Sequence, residues 1–200
     1  MAVSIPDDIM LLIFSRLVRS EDAEDEWPAM MYDRHAAQAP FTLAAVCQRW
    51  RELASTTSTL WTYFGFPPAE MVDERFLLRL ELLKRRAGAA PIDVVFGWQS
   101  QADARACRRE PSRLVFEEIV GMHVQWKTVV LHVEESVQSC RTMDRVFQSS
   151  QWPLLESLSL SMNGITTELP VAPLLHRLWL SCDFSTVNKS FIEVAPCSPC

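Results

Sequence analysis

Glycine is scarce in this chain, five in 200 residues, and none falls into a spacing that cradles phosphate or turns a nucleophile. There is no Gly-x-Gly-x-x-Gly, no Gly-x-x-x-x-Gly-Lys and no Gly-x-Ser-x-Gly, so dinucleotide, nucleoside-triphosphate and nucleophile-elbow sites have no candidate. Basic charge is also short: 19 Lys and Arg against 25 acids leave a net charge of -6. Binding to a phosphate backbone relies on clustered cations, so nucleic acid is not an expected partner. Long apolar runs are missing too. The densest, Ile9 to Phe14, falls far below the roughly 20 residues that cross a bilayer, and no membrane partner is expected. The opening MAVSIPDDIM places Asp7 and Asp8 where a secretory signal needs a positive start and an unbroken apolar stretch. The expectation is an intracellular protein of the cytoplasm, the nucleus or both.

Metal and redox chemistry find little support. Cys47, Cys107, Cys140, Cys182, Cys197 and Cys200 are scattered, several within apolar segments where a thiol behaves as a small hydrophobe. They are expected to be reduced. The pair in Cys197-Ser-Pro-Cys200 has no second pair at zinc-finger spacing and no βαβ context, so no metal is assigned. A redox enzyme using that pair predicts loss of activity when residues 197–200 are deleted. His35, His123, His132 and His176 are dispersed and suggest no triad. The chain is therefore read as non-catalytic, with no cofactor.

What is present is apolar material, 48% of residues, enough for a core. The length suits one ordinary domain or a small domain followed by an incomplete second. Ser4 and Pro6 signal a helix start, with Asp7 and Asp8 complementing the positive end of the dipole, and the helix is expected to run to about Arg19. Ile9, Leu12, Ile13 and Leu17 share a stripe, yet Met10, Leu11 and Phe14 make the opposite side apolar as well, so two surfaces must cover it. The pattern then breaks from Val18 to Pro40. Glu21, Asp22, Glu24, Asp25 and Glu26 mark a solvated insertion, at about residues 20–39. A second helix is predicted from Thr42 as cap, with Leu43, Val46, Cys47, Trp50 and Leu53 at helical spacing. Leu60, Trp61, Phe64 and Phe66 then crowd together before Pro67 and Pro68 close the segment. Such a small unit leaves apolar side chains on more than one face, as protein interfaces do.

These residues resemble the F-box family. The resemblance lies in the Ile5-Pro6 opening with an acid two residues on, the run IMLLIFSRL, the string VCQRWRELA from Val46 to Ala54, and the closing Leu60-Trp61. In that family the module binds a Skp-type adaptor of a cullin-RING ubiquitin ligase while the rest of the chain holds the substrate. Carried over position by position, the resemblance implies contact or contact-supporting roles for Ile5, Pro6, Ile9, Leu12, Ile13, Leu17, Val46, Cys47, Trp50, Leu60 and Trp61. The acidic insertion is longer than the family's usual connection.

Beyond it, ERFLLRLELLKRR from Glu74 to Arg86 reads as a helix with Phe76, Leu77, Leu80 and Leu83 on one face and Gly88 as its stop. Pro91 to Trp98 is β-branched and aromatic, a strand, and Gln99 to Arg113 reads as a solvated connection. Arg105, Arg108, Arg109 and Arg113, with Lys84, Arg85 and Arg86, are taken as solvated cations rather than an acidic partner's site. A repeat follows: Leu155-x-x-Leu158-x-Leu160-x-x-Asn163 recurs twenty residues later as Leu175-x-x-Leu178-x-Leu180-x-x-Asp183. A looser copy, Trp126-x-x-Val129-x-Leu131, follows a helix-like stretch from Leu114 to Met122. The spacing matches leucine-rich repeats, and WPLLESL and APLLHRL resemble the C-terminal regions of fungal F-box proteins. After Asp183 the rhythm stops, so an open last strand is expected to favour fraying or dimerisation.

The expected fold is α+β leaning α/β, a three-helix F-box module over 1–66 and an incomplete leucine-rich-repeat-like β/α array over 114–184. Residues 67–113 connect them, and 185–200 form an irregular tail. The expected function is substrate-recognition adaptor of a Skp-cullin-F-box ligase, with an unknown protein substrate. The alternative is a leucine-rich scaffold that recruits no ligase.

Overall fold

The computed structural model describes residues 5–18, 32–67, 72–98, 110–133, 151–162, 171–181 and 190–193. The first helix, α1 (Asp7–Val18), begins where expected, with the Pro6 carbonyl accepting from the Met10 N–H at 3.1 Å. Met10, Phe14 and Val18, spaced by four, turn inward. The next, α2, differs from its prediction. It spans Arg34–Val46, starting eight residues ahead of Thr42, because the Asp33 carboxylate caps it by accepting from His35 and Ala36 N–H groups. Thr42 is mid-helix instead, its hydroxyl donating to the Gln38 carbonyl at 3.2 Å. The insertion therefore ends before residue 34, not near 39. Pro40 sits inside the helix, buried with Ala36, Ala37 and Leu43; packing on that face holds a helix that has lost one backbone donor.

A single helix through Leu53 was also expected, but Cys47 is fully extended, with φ -156° and ψ 173°, and separates α2 from α3 (Gln48–Thr56). A 3₁₀ turn, Ser58–Trp61, leads into strand β1 (Tyr63–Gly65). The long helix α4 (Glu74–Ala87) is capped by Asp73 and stops at Gly88, whose φ of 59° suits glycine. Strand β2 (Ile92–Trp98) follows, then α5 (Glu110–Gly121). Glu110 to Arg113 thus belong to a helix rather than to the solvated connection, because Arg113 pairs with Glu117 one turn on, at 2.7 Å. The remainder is strands: β3 (Trp126–Val133), β4 (Ser157–Met162), β5 (Arg177–Ser181) and β6 (Ser190–Glu193).

All six strands form one sheet in sequence order, parallel from β1 to β5, with β6 antiparallel at the edge. The fold is mixed α/β. Register runs Phe64, Val94, Val129, Leu158, Leu178 and Ile192 across the sheet, so the twenty residues between Leu158 and Leu178 bring like positions side by side. A second row runs Phe96, Leu131, Leu160 and Leu180. The tail read as irregular supplies β6, which four residues, Ser-Phe-Ile-Glu, were too few to signal. Asn163 and Asp183 lie outside the described residues.

The helical segment and the sheet share one core. Met10, Phe14, Leu60, Trp61, Phe64 and Phe66 belong to the same buried cluster as Leu80, Phe96, Ile119, Leu131 and Leu158. Phe66 is the hinge of that continuity, its ring 5.6 Å from Phe76 of α4 and 5.6 Å from Phe96 of β2. The segment before Pro67 is therefore joined to the sheet through β1.

Tyr63 and Gly65, two apart on β1, share a face. The Tyr63 ring lies across Gly65, where a β-carbon would come within 2.5 Å of it. Its hydroxyl oxygen accepts from the Asp33 N–H at 3.0 Å, tying β1 to the cap of α2. Burial pushes this phenol far above the ordinary value, against the hydrogen bond from Asp33, with nearby carboxylates adding to the rise. A raised folded value means that the neutral phenol stabilises fully below about pH 10, and that this contribution is lost as pH climbs from there toward the folded value. Urea unfolding from about pH 9 to about pH 11.5 is expected to show a steeper fall in stability for wild type than for Tyr63→Phe. Parallel curves would exclude a buried phenol.

Candidate docking face

Helix α1 has two apolar faces, and the described residues cover only one. Met10, Phe14 and Val18 are buried, whereas Ile5, Ile9, Leu12, Ile13 and Leu17 are between 45% and 58% exposed along and just ahead of the helix. With Val46, they make six of the ten large apolar side chains that stand exposed among the described residues, so the exposure is concentrated rather than scattered. Isolated exposed leucines are ordinary, but a contiguous stripe along one helix is the kind of patch found at interaction surfaces.

The inner face is held by aromatic contacts. Trp50 of α3 is half-buried and meets Phe14 edge-on, with centroids 4.9 Å apart at 62°. Trp61 is 2% exposed, stands edge-on to Phe41 at 5.1 Å, and donates its indole N–H to the Ala54 carbonyl at 2.6 Å. Two arginines reach in from α4. Arg79 donates to the Ala37 carbonyl and lies over Phe41 at 4.4 Å; Arg86 donates to the Ser55 carbonyl at 2.9 Å and lies over Trp61 at 5.5 Å. Ser55 is in the last turn of α3, where carbonyls have no helical partner, so Arg86 satisfies one of them. The corner between α2 and α3 points outward, with Val46 and Cys47 both exposed and the Cys47 thiol free.

Over residues 2–66 the chain matches the family model described as F-box-like. The chain carries an F-box-like domain. No curated protein and no solved structure matches the chain. The F-box-like domain thus rests on the family match and on the faces just described. Of the residues singled out in its sequence, Ile5, Pro6, Ile9, Leu12, Ile13, Leu17, Val46 and Cys47 are exposed on α1 or at the α2–α3 corner. Trp50 is half in and half out. Leu60 and Trp61 are both buried in the chain's own core. The Trp61 ring already packs against Phe41 and its indole N–H is taken by the Ala54 carbonyl.

Other residues in and beside the F-box-like domain hid their partners in the sequence. Asp7 reads in sequence as a dipole partner, but its Oδ1 also accepts from Nε and Nη2 of Arg49, at 3.0 and 2.5 Å, 42 residues away. Arg79 and Arg86 look like solvated cations until α4 is placed. In the same helix Lys84 is engaged by Glu118 of α5 and by Glu81, and above all its hydrogen bond to the Glu118 carboxylate raises its pKa. Among the described residues no three His, Cys, Asp or Glu side chains gather to hold a metal, and no helix is long and apolar enough to cross a membrane.

Proposed function

We propose that the F-box-like domain docks a Skp-type adaptor of a cullin-RING ubiquitin ligase, and that this chain is the ligase's non-catalytic substrate-recognition subunit. The observation that carries the reading is the uncovered apolar stripe of α1, in a domain of the family whose members use their helices this way. Ile5, Pro6, Ile9, Leu12, Ile13 and Leu17 supply the stripe, Val46 and Cys47 the corner, and Trp50 stiffens the stripe from behind. Leu60 and Trp61 act as support. Ubiquitin transfer is performed by other subunits, and this chain contributes proximity and orientation.

The second half of the reading places a protein substrate on the sheet and its loops, taken as a short leucine-rich-repeat-like region. The support is the twenty-residue leucine pattern and its register across β4 and β5. Stacked units of this kind present a broad binding surface whose specificity lies in exposed side chains.

Calorimetric titration of the full chain with a Skp-type adaptor is expected to give a one-to-one complex, with Trp50→Ala weakening it about tenfold, because α1 loses the ring that braces Phe14 behind the stripe. Absence of a complex up to about 100 µM adaptor would reject the ligase role and leave a scaffold whose helices cap the sheet.

A further inference from the structure

Helix α1 can present its uncovered stripe to a partner only if its rotation about its own axis is fixed. An isolated twelve-residue helix does not fix this, since apolar side chains run round most of it. Two adjacent residues of α3 meet α1 at separate points. Trp50 meets Phe14 edge-on. Arg49 reaches the other end, donating through Nε and Nη2 to Oδ1 of Asp7 and through Nη2 to the Ile5 carbonyl. Asp7 and Phe14 are seven residues apart, about two turns or roughly 10 Å along the axis. Held at both, and with Met10, Phe14 and Val18 buried, the helix is braced against rolling and against swinging away from α3.

We infer that Arg49 is a positioning residue for the docking face: by holding the Asp7 carboxylate and the Ile5 carbonyl together, it sets the angle at which Ile5, Ile9 and Leu12 face outward. The inference rests on the docking role proposed above and goes beyond it, because Arg49 need not touch the partner. Its planar fork matters, since Lys offers a single point of attachment and cannot hold both acceptors in one geometry. The Arg49 and Asp7 side chains are 42% and 58% exposed, so the pair contributes modestly to global stability. Its effect is local to the first turn.

The test uses the full chain as wild type, Arg49→Met and Arg49→Lys, with two readouts: titration with a Skp-type adaptor, and amide hydrogen exchange resolved along the chain. Arg49→Met is expected to bind on the order of fivefold more weakly, a loss of the size that exposed but well-formed ion pairs give. Its amides from Met10 to Phe14, the first of α1 with helical acceptors, should exchange faster while those of β2 to β4 keep wild-type protection, and Arg49→Lys should recover part of both. Unchanged exchange of Met10 to Phe14 overturns the inference, whether binding is unchanged or falls; in the second case Arg49 is a direct contact. Faster exchange across the sheet as well would make Arg49 a general structural residue, and this also overturns it. If wild type binds no adaptor, the docking role fails, and the exchange data alone decide whether Arg49 sets α1.

Discussion

Leu12→Asp is expected to weaken binding of a Skp-type adaptor at least about a hundredfold, close to 3 kcal/mol, while leaving the fold intact. Leu12 is among the most exposed side chains of α1, and the buried face uses Met10, Phe14 and Val18 instead. In the free chain the new carboxylate stands in water and costs little. In a complex it would have to leave water without a partner, and desolvating an unpaired charge is the expensive step. The measurements are a titration beside a thermal unfolding curve. Lost affinity with an unchanged midpoint supports α1 as the interface; retained affinity means that the stripe serves something else.

Trp61→Ala is expected to do the reverse. It should lower stability by about 3–5 kcal/mol, by removing a large aromatic from a packed site, and it leaves the Ala54 carbonyl without its indole donor. The Arg86 guanidinium also loses the ring it lies over. Against a total of about 5–15 kcal/mol for a typical domain, this change brings a large part of the chain near its unfolding midpoint. Urea unfolding should show a lower midpoint with little change in slope. At low temperature, where the variant remains folded, adaptor affinity should stay near wild type. Loss of affinity in a folded Trp61→Ala protein would return Trp61 to the contact surface.

Local order was legible wherever it was written in neighbouring residues. The two apolar faces of α1 are visible in Ile9, Met10, Leu12, Ile13 and Phe14, and Gly88 marks the end of α4 because only its own backbone conformation is at issue. The repeat around Leu158 and Leu178 gave the register of β4 and β5 directly. What could not be read depends on distant partners. Leu43, Val46, Cys47, Trp50 and Leu53 fit a single helix, and the break at Cys47 accompanies a Trp50 turned onto Phe14, 36 positions earlier. The start of α2 was hidden because Asp33 is one acid among many and Pro40 reads as a boundary. Strands β1 and β6 are too short to show a period of two. The split between buried and exposed apolar residues was equally hidden: Trp61 resembles the other apolar residues of the domain until Phe41, Ala54 and Arg86 surround it.

Strand β1 has a consequence for how this chain can be divided. The family match ends at residue 66, yet Tyr63 to Gly65 pair with Asp93 to Val95, and the Phe66 N–H donates to the Val95 carbonyl. A cut at that border would strip a parallel strand of its neighbour and bare Phe64 and Phe66. The border of sequence similarity and the border of autonomous folding therefore differ here. Grafting these helices onto another scaffold would require carrying β2 along, or supplying a strand that matches it.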